Sequence, residues 1–260
     1  MAAREEPVAF ESSGVVLKGV LHRPARPEVS AAMALVHGYF QSNRIGPMAL
    51  YVQIARALAR AGMACLRFDA AGFGESDGEY SDVSYQSLTL DLAKAVDVLS
   101  TLPGVDSSRI GVLGHSLGAN IAVDVATSHP SIRILCLLAP NPTQVRADIT
   151  IFTDNQLNEL EGRGRTVRKG VLASQQVYEP INSGITWQKA ALVRVPTLLV
   201  YGDDDPYYSG ATYSRLAAAF YLSPSISHVP RADHNFLPLD CRNELFLQVC
   251  SWATAHFDRL

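Results

Sequence analysis

The chain has 260 residues, enough to bury a sizeable core and, for alternating strands and helices, to do so as one domain. Hydrophobic residues make up 48% and charged residues 18%, which excludes a disordered polymer. The formal charge of -3 leaves no electrostatic reason to expect nucleic acid as a partner.

The first residues, Met1-Ala-Ala-Arg-Glu-Glu-Pro7, carry no apolar stretch after their charges, so no signal peptide is expected. Val8–Glu11 and Val15–Leu21 are β-type runs on either side of Ser13-Gly14 and predict an antiparallel hairpin. Ala31–His37 is a continuous apolar run, as in a strand buried on both faces, and it ends at Gly38. Helical spacing from Met48 to Ala61 predicts a helix stopped by Gly62, and Met63–Phe68 is the next strand.

The alternation continues. Ser84 caps an expected helix to about Ser100, Arg109–Gly114 is a strand, and a helix runs from Ser116 to about Ser128. Ile132–Ala139 and Thr197–Tyr201 are strands, about Gly210–Tyr221 is a helix, Ile226–Val229 is a short strand, and Leu237–Phe257 is the last helix. This order predicts an α/β fold with a mostly parallel central sheet flanked by helices. Residues 143–186 separate two strands by far more than a crossover helix needs, and we expect a small cap insertion within one domain, 1–260. No run is long enough to span a bilayer.

The four cysteines, Cys65, Cys136, Cys241 and Cys250, form no C-x-x-C pair and no metal-ligand pattern. They are expected to be reduced structural thiols, with no metal bound and a cytoplasmic location. Gly72-Phe-Gly74 lacks the third glycine of a dinucleotide fingerprint, so no cofactor is expected.

Gly114-His115-Ser116-Leu117-Gly118 matches G-x-S-x-G and lies between a strand and a helix, the context that motif requires. Such a turn presents the serine hydroxyl at the strand's C-terminal end, and Ser116 is the expected nucleophile. A serine needs a base to take its proton. In this topology the acid and then the histidine follow the serine along the chain. His234, between the last short strand and the last helix, fits the base. His37 is expected to be structural, His228 a partly buried strand residue, and His22, His129 and His256 surface residues. The acid lies in Gly202-Asp203-Asp204-Asp205-Pro206. Asp205 is favoured because Pro206 biases it toward an extended conformation. Asp203 and Asp204 compete as turn residues, and Asp233 is a weaker candidate beside His234. Two backbone N–H groups should hold an oxyanion, those of Leu117 and, after the turn at Gly38, Tyr39. Arg44 is read as a surface residue, with a substrate carboxylate as its alternative partner.

These residues, in this order, resemble the α/β-hydrolase superfamily over nearly the whole chain. Arg67-Phe-Asp-Ala-Ala-Gly-Phe-Gly-Glu-Ser-Asp-Gly78 is similar to the R-[FY]-D-x-x-G-x-G-x-S-x-G loop of its serine aminopeptidase-like and cinnamoyl-esterase-like branches, where Asp69 and the glycines are structural. Gln41–Pro47 resembles a subgroup of small bacterial hydrolases. The resemblance implies a serine hydrolase acting on a carboxylic ester or thioester of a small molecule, through Ser116, Asp205 and His234 and an acyl-enzyme. An acyltransferase or cyclase using the same triad is the alternative, and a non-catalytic binding module is a third. Phe152, Leu157, Leu160, Val171, Leu172, Val177, Tyr178, Ile181 and Trp187 either line an acyl pocket or pack the insertion onto the body.

Overall fold

The computed structural model describes residues 4–25, 29–39, 42–141, 152–168, 171–177 and 185–260. Strands β1 (Arg4–Ser12) and β2 (Val15–Arg23) form the expected antiparallel hairpin, in register from Ser12↔Val15 to Arg4↔Arg23. Its turn residues Ser13 and Gly14 both have positive φ, 51° and 85°, as a two-residue hairpin loop demands. Next come β3 (Ser30–Val36), α1 (Leu50–Arg60), β4 (Ala64–Phe68), α2 (Tyr85–Thr101), β5 (Val105–His115), α3 (Leu117–Ala126) and β6 (Ile132–Leu138). After the insertion follow β9 (Thr197–Gly202), α6 (Gly210–Ala217), β10 (Ser225–Val229) and α7 (Leu239–Phe257). Within it lie α4 (Asp154–Arg163), the two-stranded antiparallel pair β7 (Arg165–Arg168) and β8 (Val171–Ser174), and α5 (Ile185–Ala190).

Among the described residues the main sheet has eight strands in the order β1-β2-β4-β3-β5-β6-β9-β10. All pairs from β4 to β10 are parallel, and β2 alone runs against the rest, pairing antiparallel with both β1 and β4. The fold is that of an α/β hydrolase. Every residue of β3 and β4 is buried, the state the continuous apolar runs predict for strands covered on both faces. Alternate side chains serve two cores. Ala32, Ala34 and Val36 join α2, α3 and α6 on one face, and Ala31, Met33 and Leu35 join α1 and α7 on the other.

Local chemistry sets the helix ends. Ser84 accepts from Ser87 N and Ser87 returns the bond, a capping box that starts α2. The helix expected from Met48 begins instead at Leu50, because Met48 and Ala49 hold left-handed φ values of 46° and 59°. The cause is the buried Arg242 on α7, whose guanidinium donates to Pro47 O (3.1 Å), Met48 O (2.8 Å) and Phe236 O (2.8 Å). Pro47 O still accepts from Leu50 N, so this stretch makes a single 3₁₀ turn before α1. All four cysteines are free, and burial pushes the Cys65 thiol up to about 12. Among the described residues no helix is long and apolar enough to cross a membrane.

Candidate active site

The site lies at the C-terminal ends of β5, β9 and β10. Ser116 sits between β5 and α3 with φ 55° and ψ -121°, a conformation that costs a non-glycine residue on the order of 1–3 kcal/mol. Its flanking glycines are required by contact. A Cβ on Gly114 would stand 2.3 Å from Gly118 O, and one on Gly118 would stand 2.5 Å from His37 O and Val36 O. Ser116 occupies the N-cap position of α3 but makes no side-chain cap bond. Its hydroxyl instead lies 3.0 Å from His234 Nε2.

His234 follows β10 and is 9% exposed. Its Nδ1 is 2.8 Å from Asp205 Oδ2. A carboxylate only accepts, so Nδ1–H donates to Asp205 and Nε2 presents a lone pair to the Ser116 hydroxyl. The Asp205 side chain is fully buried. It also accepts from Tyr207 N (2.8 Å), Tyr208 N (3.3 Å) and Tyr213 Oη (3.1 Å). Burial raises its pKa, but the bond and charge of His234 and the other donors outweigh that, and the net shift is downward.

The competing carboxylates point elsewhere. Asp233 Oδ1 accepts from Leu237 N at 2.8 Å. Asp203 pairs with His228 at 3.0 Å, and His228 is exposed on the edge strand β10, not partly buried as expected. His22 differs more: it is wholly buried and accepts from Arg67 Nε at 2.7 Å. β2 lies inside the sheet beside β4, so a residue near its end is covered by its neighbours. His129 and His256 are half-buried, on Asp97 (3.2 Å) and against the Trp252 ring (3.9 Å). Arg44 meets no solvent-facing partner alone. It ion-pairs with the buried Asp69 and with Glu75, which corrects its reading as a solvated arginine.

His37 holds the loop opposite Ser116. Ala70 N donates to its Nε2 at 3.2 Å, so Nδ1–H donates to Gly38 O at 2.6 Å. That bond fixes the Gly38–Tyr39 peptide plane, and in a trans peptide the Tyr39 N–H points away from the Gly38 carbonyl. Leu117 is the first residue of α3, where the N–H has no intrahelical acceptor. The Tyr39 hydroxyl accepts from Ser174 N on β8 at 3.3 Å, which ties the insertion to this loop. Phe40 and Gln41 lie outside the described residues.

Several residues near Ser116, Asp205 and His234 carried no separate signal. The Tyr207 ring stands edge-on to His234 at 5.1 Å. Tyr208 bonds Asn141 Oδ1, and Asn141 exchanges two bonds with the buried Asn120 (2.9 and 3.1 Å). Tyr51 and Tyr213 are hydroxyls at core positions of α1 and α6, and that mismatch of polarity with periodicity is the one clue the sequence holds. Of the insertion's apolar residues, Phe152, Leu157 and Leu160 pack with Ala173 in a cluster of their own, and Val177 joins the main core. Tyr178 and Ile181 lie outside the described residues. Among the described residues no group of three His, Cys, Asp or Glu side chains could hold a metal ion.

This elbow and this sheet order are those of the α/β-hydrolase fold, which solved structures share with the chain. A family model described as serine aminopeptidase, S33, matches residues 27–152, and one for the C-terminal part of BAAT and acyl-CoA thioester hydrolases matches residues 92–219. A thiohydrolase of Arthrinium phaeospermum is 31% identical over 139 residues, 53% of this chain and 43% of that protein. The chain spans about half the length of the curated relatives it matches. Among solved structures, Est1E of Butyrivibrio proteoclasticus with ferulic acid bound has a TM-score of 0.81 at 17% identity, covering 96% of this chain and 99% of the other. A dienelactone hydrolase of Anabaena variabilis has a TM-score of 0.71 at 19% identity, covering 98% and 99%.

Proposed function

We propose that this protein is a serine hydrolase that cleaves a carboxylic ester or thioester of a small molecule, with Ser116 as nucleophile, His234 as base and Asp205 as the acid that orients it. The observation that carries this reading is the unbroken contact from Asp205 through His234 to Ser116, at 2.8 and 3.0 Å, on a strained elbow. Serine is a weak nucleophile until its proton has somewhere to go. Here His234 Nε2 accepts it while Ser116 Oγ bonds the acyl carbon. Asp205 stabilises the imidazolium without taking the proton. The N–H groups of Leu117 and Tyr39 receive the oxyanion. Two such donors are typically worth a hundredfold or more each, on the order of 10²–10³ in kcat. The His234 proton then leaves with the alcohol or thiol, and water, activated by the same nitrogen, releases the acid.

The thioester arm is supported by the acyl-CoA thioester hydrolase match over 92–219 and by the similarity to a thiohydrolase. We read residues 143–186 as a cap insertion within one domain; of its described residues, Ser174 donates its N–H to the Tyr39 hydroxyl on the body. The test is turnover of p-nitrophenyl esters and acyl thioesters of graded chain length by wild type and Ser116→Ala, with product analysis in the presence of a competing amine or alcohol. Loss of all turnover in the variant and free acid as product support hydrolysis. Full turnover by Ser116→Ala rejects the nucleophile, and transfer to the added acceptor at the expense of free acid makes the protein an acyltransferase.

A further inference from the structure

We infer that His115 and Tyr51 form a positioning relay that sets the two backbone segments on either side of Ser116, one leading to the Tyr39 N–H and the other carrying His234. This rests on the roles proposed above for Tyr39 and His234. Four contacts build the relay. His115 Nε2 is 2.9 Å from His234 O, His115 Nδ1 is 2.7 Å from Tyr51 Oη, Gly38 N donates to Tyr51 Oη at 3.2 Å, and Ser42 Oγ lies 3.4 Å from the same oxygen.

The donor count leaves one arrangement. A backbone carbonyl only accepts, so His115 Nε2 carries the proton. Nδ1 of the neutral ring is then an acceptor, and the Tyr51 O–H must donate to it. The Tyr51 oxygen keeps its lone pairs for Gly38 N–H and Ser42 O–H. His115 is 2% exposed and Tyr51 is fully buried. Burial, with the nearby His234, holds the His115 pKa down at about 3, and burial pushes Tyr51 up to about 12, so neither group changes charge near neutrality.

The relay spans what local structure cannot. His115 and His234 are 119 positions apart, Gly38 follows β3, and Tyr51 lies in the first turn of α1. The base is carried by a loop whose residues Arg231 and Phe236 have φ of 60° and 50°. A carbonyl bond at His234 itself is therefore what fixes the height of the imidazole over Ser116. On the other side, Gly38 is held at its N–H by Tyr51 and at its C=O by His37. One side chain next to the nucleophile thus sets the distance from serine to base, and through Tyr51 it sets the oxyanion peptide.

Three variants and one spectrum test this. Tyr51→Phe keeps the ring and removes the hydroxyl. In His115→Gln the side-chain amide N–H reaches the Nε2 position and can still donate to His234 O, whereas His115→Asn reaches only the Nδ1 position. A misplacement of about an ångström costs up to roughly a hundredfold in rate. Tyr51→Phe and His115→Asn should lower kcat by about ten- to a hundredfold with KM unchanged. His115→Gln should recover most of that rate, with all three proteins unfolding cooperatively. Imidazole ¹⁵N NMR of the wild type should show His115 protonated at Nε2 only. An Nδ1–H tautomer, wild-type kcat in Tyr51→Phe, or equal losses in the Gln and Asn variants would overturn the relay. Should a variant fail to fold, the wild-type tautomer still decides. Absence of fluorophosphonate labelling at Ser116 in the wild type would instead reject the hydrolase reading and leave that spectrum as the test of the relay.

Discussion

Replacing Asp205 with Asn changes one atom and tests the whole site. Oδ1 can continue to accept from Tyr207 N and Tyr208 N, at 2.8 and 3.3 Å, so the turn after β9 is preserved. The atom facing His234 Nδ1 and Tyr213 Oη becomes an N–H donor, or else the amide flips and forfeits the two backbone bonds. With a donor there, His234 keeps its proton on Nε2, against the Ser116 hydroxyl, and can no longer accept from it. In the Ser-His-Asp template a wrong tautomer of this kind lowers kcat by about 10⁴, or ~5.5 kcal/mol of barrier. We expect a loss of that order for Asp205→Asn, measured as kcat for a p-nitrophenyl ester and as the rate of fluorophosphonate labelling at Ser116. Asp203→Asn, Asp204→Asn and Asp233→Asn should stay within about threefold of wild type, since surface changes away from a site rarely exceed ±0.5 kcal/mol. Asp205→Asn activity within tenfold of wild type, or an equal loss at any of the other three, would refute the assignment of the acid.

Gly202→Ala would set a Cβ 2.1 Å from Ala232 O, two residues before the base, so it should push the His234 loop outward and abolish activity; normal kcat in a folded variant would contradict this contact. Arg242→Met removes one donor from each of three carbonyls, though Pro47 O keeps Leu50 N and Met48 O keeps Gln53 Nε2. At about 1–3 kcal/mol per buried unpaired group, the loss, chiefly at Phe236 O, should be roughly 2 kcal/mol in urea unfolding; an unchanged midpoint would show that the clamp contributes nothing. His22 and His115 are held neutral, with pKa values of about 4 and about 3, chiefly by burial. The unfolded chain therefore binds more protons than the folded one below the ordinary histidine value of about 6.5, and stability should fall as pH drops from there toward 4, by up to roughly 3 kcal/mol per pH unit for two groups. Equal unfolding free energies at pH 7 and pH 5 would show that these histidines are not buried neutral.

Much of the molecule was legible because its signals are local. A parallel strand covered on both faces is mostly apolar, and Ser30–Val36 and Ala64–Phe68 are so but for Ser30 and Arg67, with every residue buried. The elbow motif is five residues long and needs only its own strand and helix. The choice among three adjacent aspartates was legible through Pro206, and Asp205 is the one that faces His234. Other features were not. His22 looked like a surface residue because its partner, Arg67, comes from a strand 45 positions away. Met48 and Ala49 fit a helical pattern, and it is Arg242, 194 positions from Met48, that turns them out of it. Arg44 gave no sign of Asp69 and Glu75.

The division follows from how each kind of information is written in the chain. Periodicity, glycine spacing and motif order are set by sterics and burial within a few residues, so the amino-acid sequence alone determined the α/β layering, the elbow at Ser116 and the order Ser116, Asp205, His234 along the chain. Hydrogen bonds between groups 118 or 119 positions apart, such as Ser116 with His234 and His115 with the His234 carbonyl, exist only once the sheet has brought β5 and the loop after β10 together. Direction, tautomer and distance at the site are properties of that meeting, and only the tertiary structure decides them.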